Sequence, residues 1–225
     1  MIPLEFTTTA MCRPEILRQT YQSFREKLLG VDFEASTVYI NVDPAPDPAL
    51  AESVVAAAGE TFGKVISRIA DQCCFPRAVQ WTMEQPTAEF FFNLEDDWRL
   101  TRVMDVMELI KFLRHHPKLS VTNLRYYPSA RDEVCLGPGL WRNEHAKRYA
   151  AGLSLDANPE VQLRPAWPKN PYGGLHTRAN LHGKQFPGYR VLEEIGRPWL
   201  KESGWAKAGQ YFTEWVPQTA DGAYP

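Results

Sequence analysis

The chain lacks any apolar run approaching the roughly 18 residues a membrane-spanning helix needs. It also lacks a CxxC pair: its 4 cysteines stand at Cys12, Cys73, Cys74 and Cys135. Adjacent thiols at Cys73 and Cys74 are poorly placed for a tetrahedral zinc knuckle, and so few cysteines make a sparse disulfide framework for 225 residues. Reduced thiols in a cytosolic protein are the expectation. Charge of one sign is missing too. Lys and Arg number 25 against 27 Asp and Glu, a net charge of −2, which excludes a broadly basic nucleic-acid surface while leaving room for a local groove. Met1-Ile2-Pro3-Leu4-Glu5 has neither the basic start nor the long apolar core of a secretory signal, so cytoplasmic residence is expected. There is no internal repeat, low-complexity tract or clear linker.

What is present is ample core material, 44% hydrophobic with 12% aromatic residues, in a length that suits one sizeable domain. Strand-like and helix-like segments alternate. Leu4 to Ala10, Thr37 to Val42, Lys64 to Ile69, Ala88 to Leu94 and Leu119 to Leu124 read as strands. Between them, Ile16, Leu17, Tyr21, Phe24 and Leu28 recur at helical spacing after Pro14. Ala49 to Ala58, Pro76 to Gln85 and Val103 to Arg114 also suit helices, the last ended by His115-His116-Pro117. Such alternation implies βαβ units and a mainly parallel α/β sheet. The second half is punctuated by Gly137-Pro138-Gly139, Pro171-Tyr172-Gly173-Gly174 and Pro187-Gly188, the composition of binding loops. A single domain is expected, with residues 1–100 as a nucleotide-binding half and 101–225 as a loop-rich half closing over it.

The sharpest local signal is Glu89-Phe90-Phe91-Phe92-Asn93-Leu94-Glu95-Asp96-Asp97-Trp98, an apolar strand that ends in three carboxylates. Ligands of open α/β sheets bind beyond the carboxyl ends of the strands. Three adjacent acids repel one another unless solvated or neutralised, and a hard divalent cation neutralises them well. The alternative is a solvated acidic turn capping a helix that starts near Thr101.

Four segments in order then resemble the GT-A glycosyltransferases, in particular small bacterial and phage members similar to the large inverting family two. They are Thr7-Thr8-Thr9-Ala10-Met11-Cys12-Arg13-Pro14-Glu15-Ile16-Leu17, Val38-Tyr39-Ile40-Asn41-Val42-Asp43, Phe75-Pro76-Arg77-Ala78 through Trp81, and Phe92-Asn93-Leu94-Glu95-Asp96-Asp97-Trp98. The resemblance covers roughly residues 4 to 100 and implies a GT-A, Rossmann-like sheet. It also implies a metal-dependent, inverting transfer of sugar from a nucleotide-diphosphate sugar, a UDP-sugar first, to a hydroxyl of a glycan or other acceptor. Mn²⁺ or Mg²⁺ is the implied cofactor, with Asp97 the leading ligand and Glu95, which stands where the family has Asp, contacting metal-bound water or ribose. Asp96 serves either role. Asp43 is the implied nucleoside contact, the other reading being a turn starter before Pro44. Thr8, Thr9 and Ala10 would underlie the nucleoside. Arg13 and Arg77 would pair with diphosphate or with the acids, or make ordinary surface ion pairs.

The same resemblance places the acceptor side in the second half. Val191-Leu192-Glu193-Glu194-Ile195-Gly196-Arg197-Pro198-Trp199 resembles the family's acid pair at the start of a late helix, with Glu194 at the position of the catalytic Asp, Glu193 beside it and Glu160 competing as base. A histidine that often completes metal coordination has no counterpart after His182, so His176 and His182 are the candidates to replace it. Trp141, Trp199 or Tyr172 could line an acceptor groove, although core packing suits most of the aromatics. Gly137-Pro138-Gly139-Leu140-Trp141 looks like a sugar-side loop. Two other classes stay open: a nucleotidyltransferase, disfavoured because Thr7 to Arg13 contains no glycine, and a noncatalytic carbohydrate-binding protein. The near-neutral charge disfavours a DNA acceptor.

Overall fold

The computed structural model describes residues 1–124, 136–163, 177–179, 191–208 and 214–217. Cys135, Tyr172, His176 and His182 lie outside the described residues. The chain runs β1 (Glu5–Met11), α1 (Pro14–Lys27), β2 (Leu28–Leu29), β3 (Thr37–Asp43), a 3₁₀ turn (Pro48–Leu50), α2 (Ala51–Gly59), β4 (Lys64–Ile69), α3 (Phe75–Glu84) and β5 (Phe90–Glu95). It continues through β6 (Trp98–Leu100), β7 (Met104–Asp105), α4 (Val106–His115), β8 (Leu119–Asn123), β9 (Gly139–Arg142), α5 (Asn143–Ala151) and α6 (Pro159–Gln162). The remaining elements are β10 (Thr177–Ala179), β11 (Leu192–Glu194), α7 (Gly196–Ser203), β12 (Trp205–Ala208) and β13 (Glu214–Pro217). Among the described residues no helix is long and apolar enough to cross a membrane.

Seven strands form the central sheet in the order β10-β8-β9-β5-β1-β3-β4. Strands β5, β1, β3 and β4 are mutually parallel, and β9 runs antiparallel to both β5 and β8. The apolar run Phe90-Phe91-Phe92 of β5 follows from burial on both sides. Phe90, Phe92 and Leu94 join the cluster built with α1, α2 and α4, whereas Phe91 faces Val79 and Met83 of α3 and Ala146 and Tyr149 of α5. The aromatic centre is Phe92, fully buried between Phe6 and Phe24 at centroid distances of 5.9 and 5.8 Å.

Three expectations are corrected. No helix starts near Thr101: residues 98–100 form β6, because Trp98 and Leu100 alternate inward and the strand finds its partner in β11, some ninety positions later. Helix α4 begins after Asp105, whose side chain accepts from the Met107 N–H. The acid triplet therefore caps no helix. The Gly137 to Trp141 segment is partly a buried strand, β9, and a Cβ on Gly139 would fall 2.6 Å from the Thr122 carbonyl oxygen, so only glycine allows this close strand approach. Trp141 is 1% exposed and packs on Tyr149, so it lines no groove.

Phe92→Ala should lower the unfolding free energy by about 3–5 kcal/mol, through lost transfer energy and a cavity the flanking rings cannot refill. Urea denaturation measures this, and a change below about 1 kcal/mol would show that the core relaxes around the site.

Candidate functional site

Strand β1 sits between β3 and β5, and the chain leaves it first towards β3 and β4 and later returns to β5 on the other side. That reversal is the switch point where open α/β sheets form a crevice. Parallel register places Met11 beside Asp43 and Thr9 beside Glu95, so the β1–α1 loop, the β3 acid and the acid triplet share one edge of the sheet.

Arg13 is the centre of this edge. It precedes Pro14 at the first position of α1, and its side chain, 1% exposed, turns back over the β5 end instead of capping the helix. Nε donates to Asp96 Oδ2 at 3.2 Å, and Nη2 donates to Asp96 Oδ1 at 2.7 Å and to Asp97 Oδ2 at 3.3 Å. The Met11 N–H adds a donor to Asp96 Oδ2 at 3.0 Å, and Thr20 Oγ1 holds the Asp96 carbonyl at 2.7 Å. The Trp199 ring covers the guanidinium at 5.3 Å. Burial works against the Arg13 charge, and Asp96 and then Asp97 more than offset it, raising its proton affinity. Glu95 Oε2 accepts from Trp98 Nε1 at 2.7 Å. Of the two acids paired to Arg13, Asp97 is the more exposed, with 17% of its side chain accessible against 6% for Asp96.

At the end of β3, Asp43 is buried. Its Oδ1 accepts from Asn41 Nδ2 at 2.9 Å and its Oδ2 from the Cys74 N–H at 3.3 Å. Burial nevertheless pushes its carboxyl up to about 6, with the Asn41 amide, the Cys74 N–H and the charge of Arg68 opposing. Cys12 donates its thiol to the Asp43 carbonyl at 3.4 Å, and burial likewise raises the thiols of Cys12 and Cys73. These thiols are protonated and, by the same token, weak nucleophiles. Cys12, Cys73 and Cys74 carry no disulfide. Arg77 stands exposed in the first turn of α3.

The C-terminal segment closes the other side. β11 pairs antiparallel with β6, setting Glu194 opposite Trp98 and Glu193 opposite Arg99, one strand spacing of about 4.8 Å from the residues after the triplet. The Ile195 N–H donates to the Asp97 carbonyl at 2.9 Å. Gly196 then opens α7 against the Asp97 side chain: a Cβ there would fall 2.8 Å from Asp97 Cγ. Glu193 pairs with Arg99 at 2.5 Å on the surface, and the half-buried Glu194 pairs with Arg197 at 2.7 Å.

Other sequence candidates sit elsewhere. Thr8 is buried and accepts from the Tyr21 hydroxyl at 2.9 Å, and Ala10 is in the core; Thr9 alone of the three shares the face of Asp43 and Glu95, half-buried and beside Glu95 in the register. Glu160 accepts from the Leu136 N–H at 3.2 Å and so anchors the loop before β9. Asn93 joins that anchoring, donating to the Leu136 carbonyl and accepting from Thr7 Oγ1 at 2.9 Å. Sequence reading passed over Asn41, Asn93, Thr20 and Gly196. A signal existed for two of them. Asn41 and Asn93 interrupt apolar strands two residues before Asp43 and Glu95, which puts each on the same face as the acid that follows.

Among the described residues no group of three or more His, Cys, Asp or Glu side chains is placed to hold a metal ion. A hard cation of the Mg²⁺ type is commonly held by one or two carboxylates together with substrate phosphates. The partly exposed Asp97 carboxylate fits that second arrangement, completed by a ligand's oxygens.

No family model matches the chain, and no curated protein matches it. Solved structures do match. One is the mannosyltransferase PcManGT from Pyrobaculum calidifontis in complex with GDP-Man and Mn²⁺, at TM-score 0.52 and 9% identity over 71% of this chain and 50% of that one. Another is S. aureus TarS, at TM-score 0.51 and 11% identity over 78% of this chain and 33% of that one. A third, CMP:2-keto-3-deoxy-manno-octonic acid synthetase complexed with CTP, matches at TM-score 0.45 and 17% identity over 71% of this chain and 81% of that one. The aligned region thus spans half of the mannosyltransferase and a third of TarS. At these identities the shared property is the fold: a mainly parallel sheet flanked by helices, in the GT-A arrangement.

Because Asp43 binds its proton more tightly folded, at about 6, than at its ordinary 3.8, its own contribution to stability is fully present below pH 4 and is lost as pH rises through 6. Asp43→Asn should remove that loss. The new amide can donate to Asn41 Oδ1, a buried oxygen without a partner, once the Asn41 amide turns over. Urea denaturation should find the variant more stable at pH 7.5 by on the order of 2 kcal/mol, with the gap closing towards pH 4. Equal stability at both pH values would contradict the assignment.

Proposed function

We propose that this chain is a glycosyltransferase, moving a sugar from a nucleotide-diphosphate sugar to a hydroxyl acceptor with inversion at the anomeric carbon. The observation that carries the reading is the gathering of Asp43, the acid triplet with its Arg13-bound Asp96 and Asp97, and Glu194 around the switch point of a GT-A sheet. A buried carboxylate at the β3 end suits the nucleoside, accepting from a ribose hydroxyl or a ring N–H of the base. The diphosphate then lies towards the β5 end, where Asp97 would hold Mn²⁺ or Mg²⁺, whose charge offsets that of the departing nucleoside diphosphate. Arg13 fixes the Asp96 and Asp97 carboxylates, and Gly196 gives Asp97 the room it occupies. Arg77, exposed on the same edge, supplies a further cation for phosphate oxygens.

Glu194 takes the acceptor proton. The acceptor oxygen attacks the anomeric carbon from the face opposite the diphosphate, the carbon–phosphate-oxygen bond breaks, and the leaving diphosphate keeps the electron pair. The Arg197 partner orients Glu194 for that role. Two features favour a UDP- or GDP-sugar over a triphosphate donor. The β1–α1 loop has no glycine to wrap a triphosphate, and the matched mannosyltransferase is in complex with GDP-Man and Mn²⁺.

The test is incubation with a panel of nucleotide sugars and Mn²⁺, followed by assay of released nucleoside diphosphate. Slow donor hydrolysis is expected for at least one donor. Pyrophosphate release from a nucleoside triphosphate and a sugar phosphate would replace this reading with nucleotidyl transfer, and binding without turnover would replace it with a carbohydrate-binding protein.

Two variants divide the roles. Asp97→Ala should abolish turnover while its unfolding curve stays close to wild type, chelator should mimic it, and excess divalent ion should restore only the wild type. Undiminished activity in the purified variant would remove Asp97 from the reaction. Glu194→Gln should lower transfer by about 10²-fold or more while leaving nucleotide affinity near wild type. If Glu160→Gln is inactive instead and Glu194→Gln is not, the base is misassigned.

A further inference from the structure

The Arg13 guanidinium sits where a bridging cation would sit. A single nitrogen, Nη2, lies 2.7 Å from Asp96 Oδ1 and 3.3 Å from Asp97 Oδ2, and the neighbouring Nε closes a bidentate pair with Asp96. Three donors from Arg13 and the Met11 amide already occupy Asp96, and Trp199 covers the guanidinium. A divalent ion entering this edge therefore meets a fixed positive charge beside the carboxylate it needs, and of the two acids that Arg13 holds, Asp97 is the more exposed, at 17% against 6%.

We propose that Arg13 is a built-in counter-cation that keeps the acid triplet from binding a divalent ion until a nucleoside diphosphate is present. Ion and diphosphate then bind as a pair. The inference rests on the reading of Asp97 as the metal ligand. Its physical basis is a balance of charge. Without nucleotide, one partly screened carboxylate cannot hold a strongly hydrated dication against the repulsion of a guanidinium within a few ångströms. A diphosphate adds two negative charges and the oxygens that complete an octahedral shell, so the sum turns favourable. Removing the guanidinium has the same effect by another route, since it leaves the Asp96 and Asp97 oxygens facing one vacated point.

The account distinguishes Arg13 from a residue that merely stabilises the fold, because loss of a structural arginine does not create metal affinity. The measurement is the electron paramagnetic resonance signal of free Mn²⁺, titrated with purified full-length protein in the absence of nucleotide and then with UDP or GDP. A nucleotide-only titration and Asp97→Ala serve as the blanks. The wild type should leave the free Mn²⁺ signal unchanged without nucleotide and should reduce it, beyond the blanks, with UDP or GDP. Arg13→Met should bind Mn²⁺ without nucleotide at least about tenfold more tightly than wild type, as expected when a repelling unit charge is removed at this range, and Arg13→Lys should not.

Breaking a buried ion pair can unfold a chain, so circular dichroism accompanies the Arg13→Met measurement and the wild-type titration decides the matter by itself. Wild-type Mn²⁺ affinity that is equal with and without nucleotide would overturn the proposal while leaving Asp97 as ligand. So would a folded Arg13→Met protein with no gain. A signal unchanged by protein even with UDP and GDP would overturn the Asp97 reading itself, and this proposal with it.

Discussion

The buried pair of Arg13 and Asp96 is the interaction on which the site depends. A guanidinium that is 1% exposed must be matched in charge and in hydrogen bonds, and the β5 end supplies both. Losing one partner of such a pair costs on the order of 3–5 kcal/mol, mostly because the remaining charge is stranded. That penalty ties together parts of the chain distant in sequence. The pair welds the β1–α1 loop to the end of β5, Thr20 of α1 holds the Asp96 carbonyl, and Trp199 of α7 lies over the guanidinium. The carboxylates are consequently oriented before any ligand arrives, which is what a site acting through electrostatics requires.

The rest of the fold brings these groups to one edge. Parallel strands pointing the same way present their carboxyl ends together, and the reversal of direction at β1 opens the crevice. Burial on both faces of β5 makes the strand end a rigid platform, with Phe92 and Leu94 packed on one side and Phe91 on the other. The antiparallel β6–β11 pair then carries Glu194 and Gly196 back from the far end of the described chain to the acid triplet.

How much of this was legible follows from where the information sits. Strands β1, β3, β4 and β5 are local segments rich in β-branched and aromatic residues, and their alternation with helices points to a parallel sheet. Asp43 and the triplet stood out because carboxylates ended apolar runs. The β6–β11 pairing was not legible, since three residues are too few for an alternation to mark a strand and the two segments are far apart in sequence. Gly139 disguised β9 as a loop, although the glycine is there to admit a neighbouring strand. The sequence does not tell which of Thr8, Thr9 and Ala10 faces a ligand, because a strand's two faces cannot be told apart when both are largely buried. The inward turn of Arg13 escaped for a related reason: sequence reveals a cation near an acid cluster but not which carboxylate it will hold.

The measurement that reaches the central claim most directly is a crystal structure of the protein grown with Mn²⁺ and a nucleoside diphosphate. The account predicts the nucleoside against Asp43 and the diphosphate bridged through the ion to Asp97, with the Arg13–Asp96 pair intact beneath them. A nucleotide bound elsewhere on the chain, or an ion held jointly by Asp96 and Asp97 with Arg13 displaced, would contradict it.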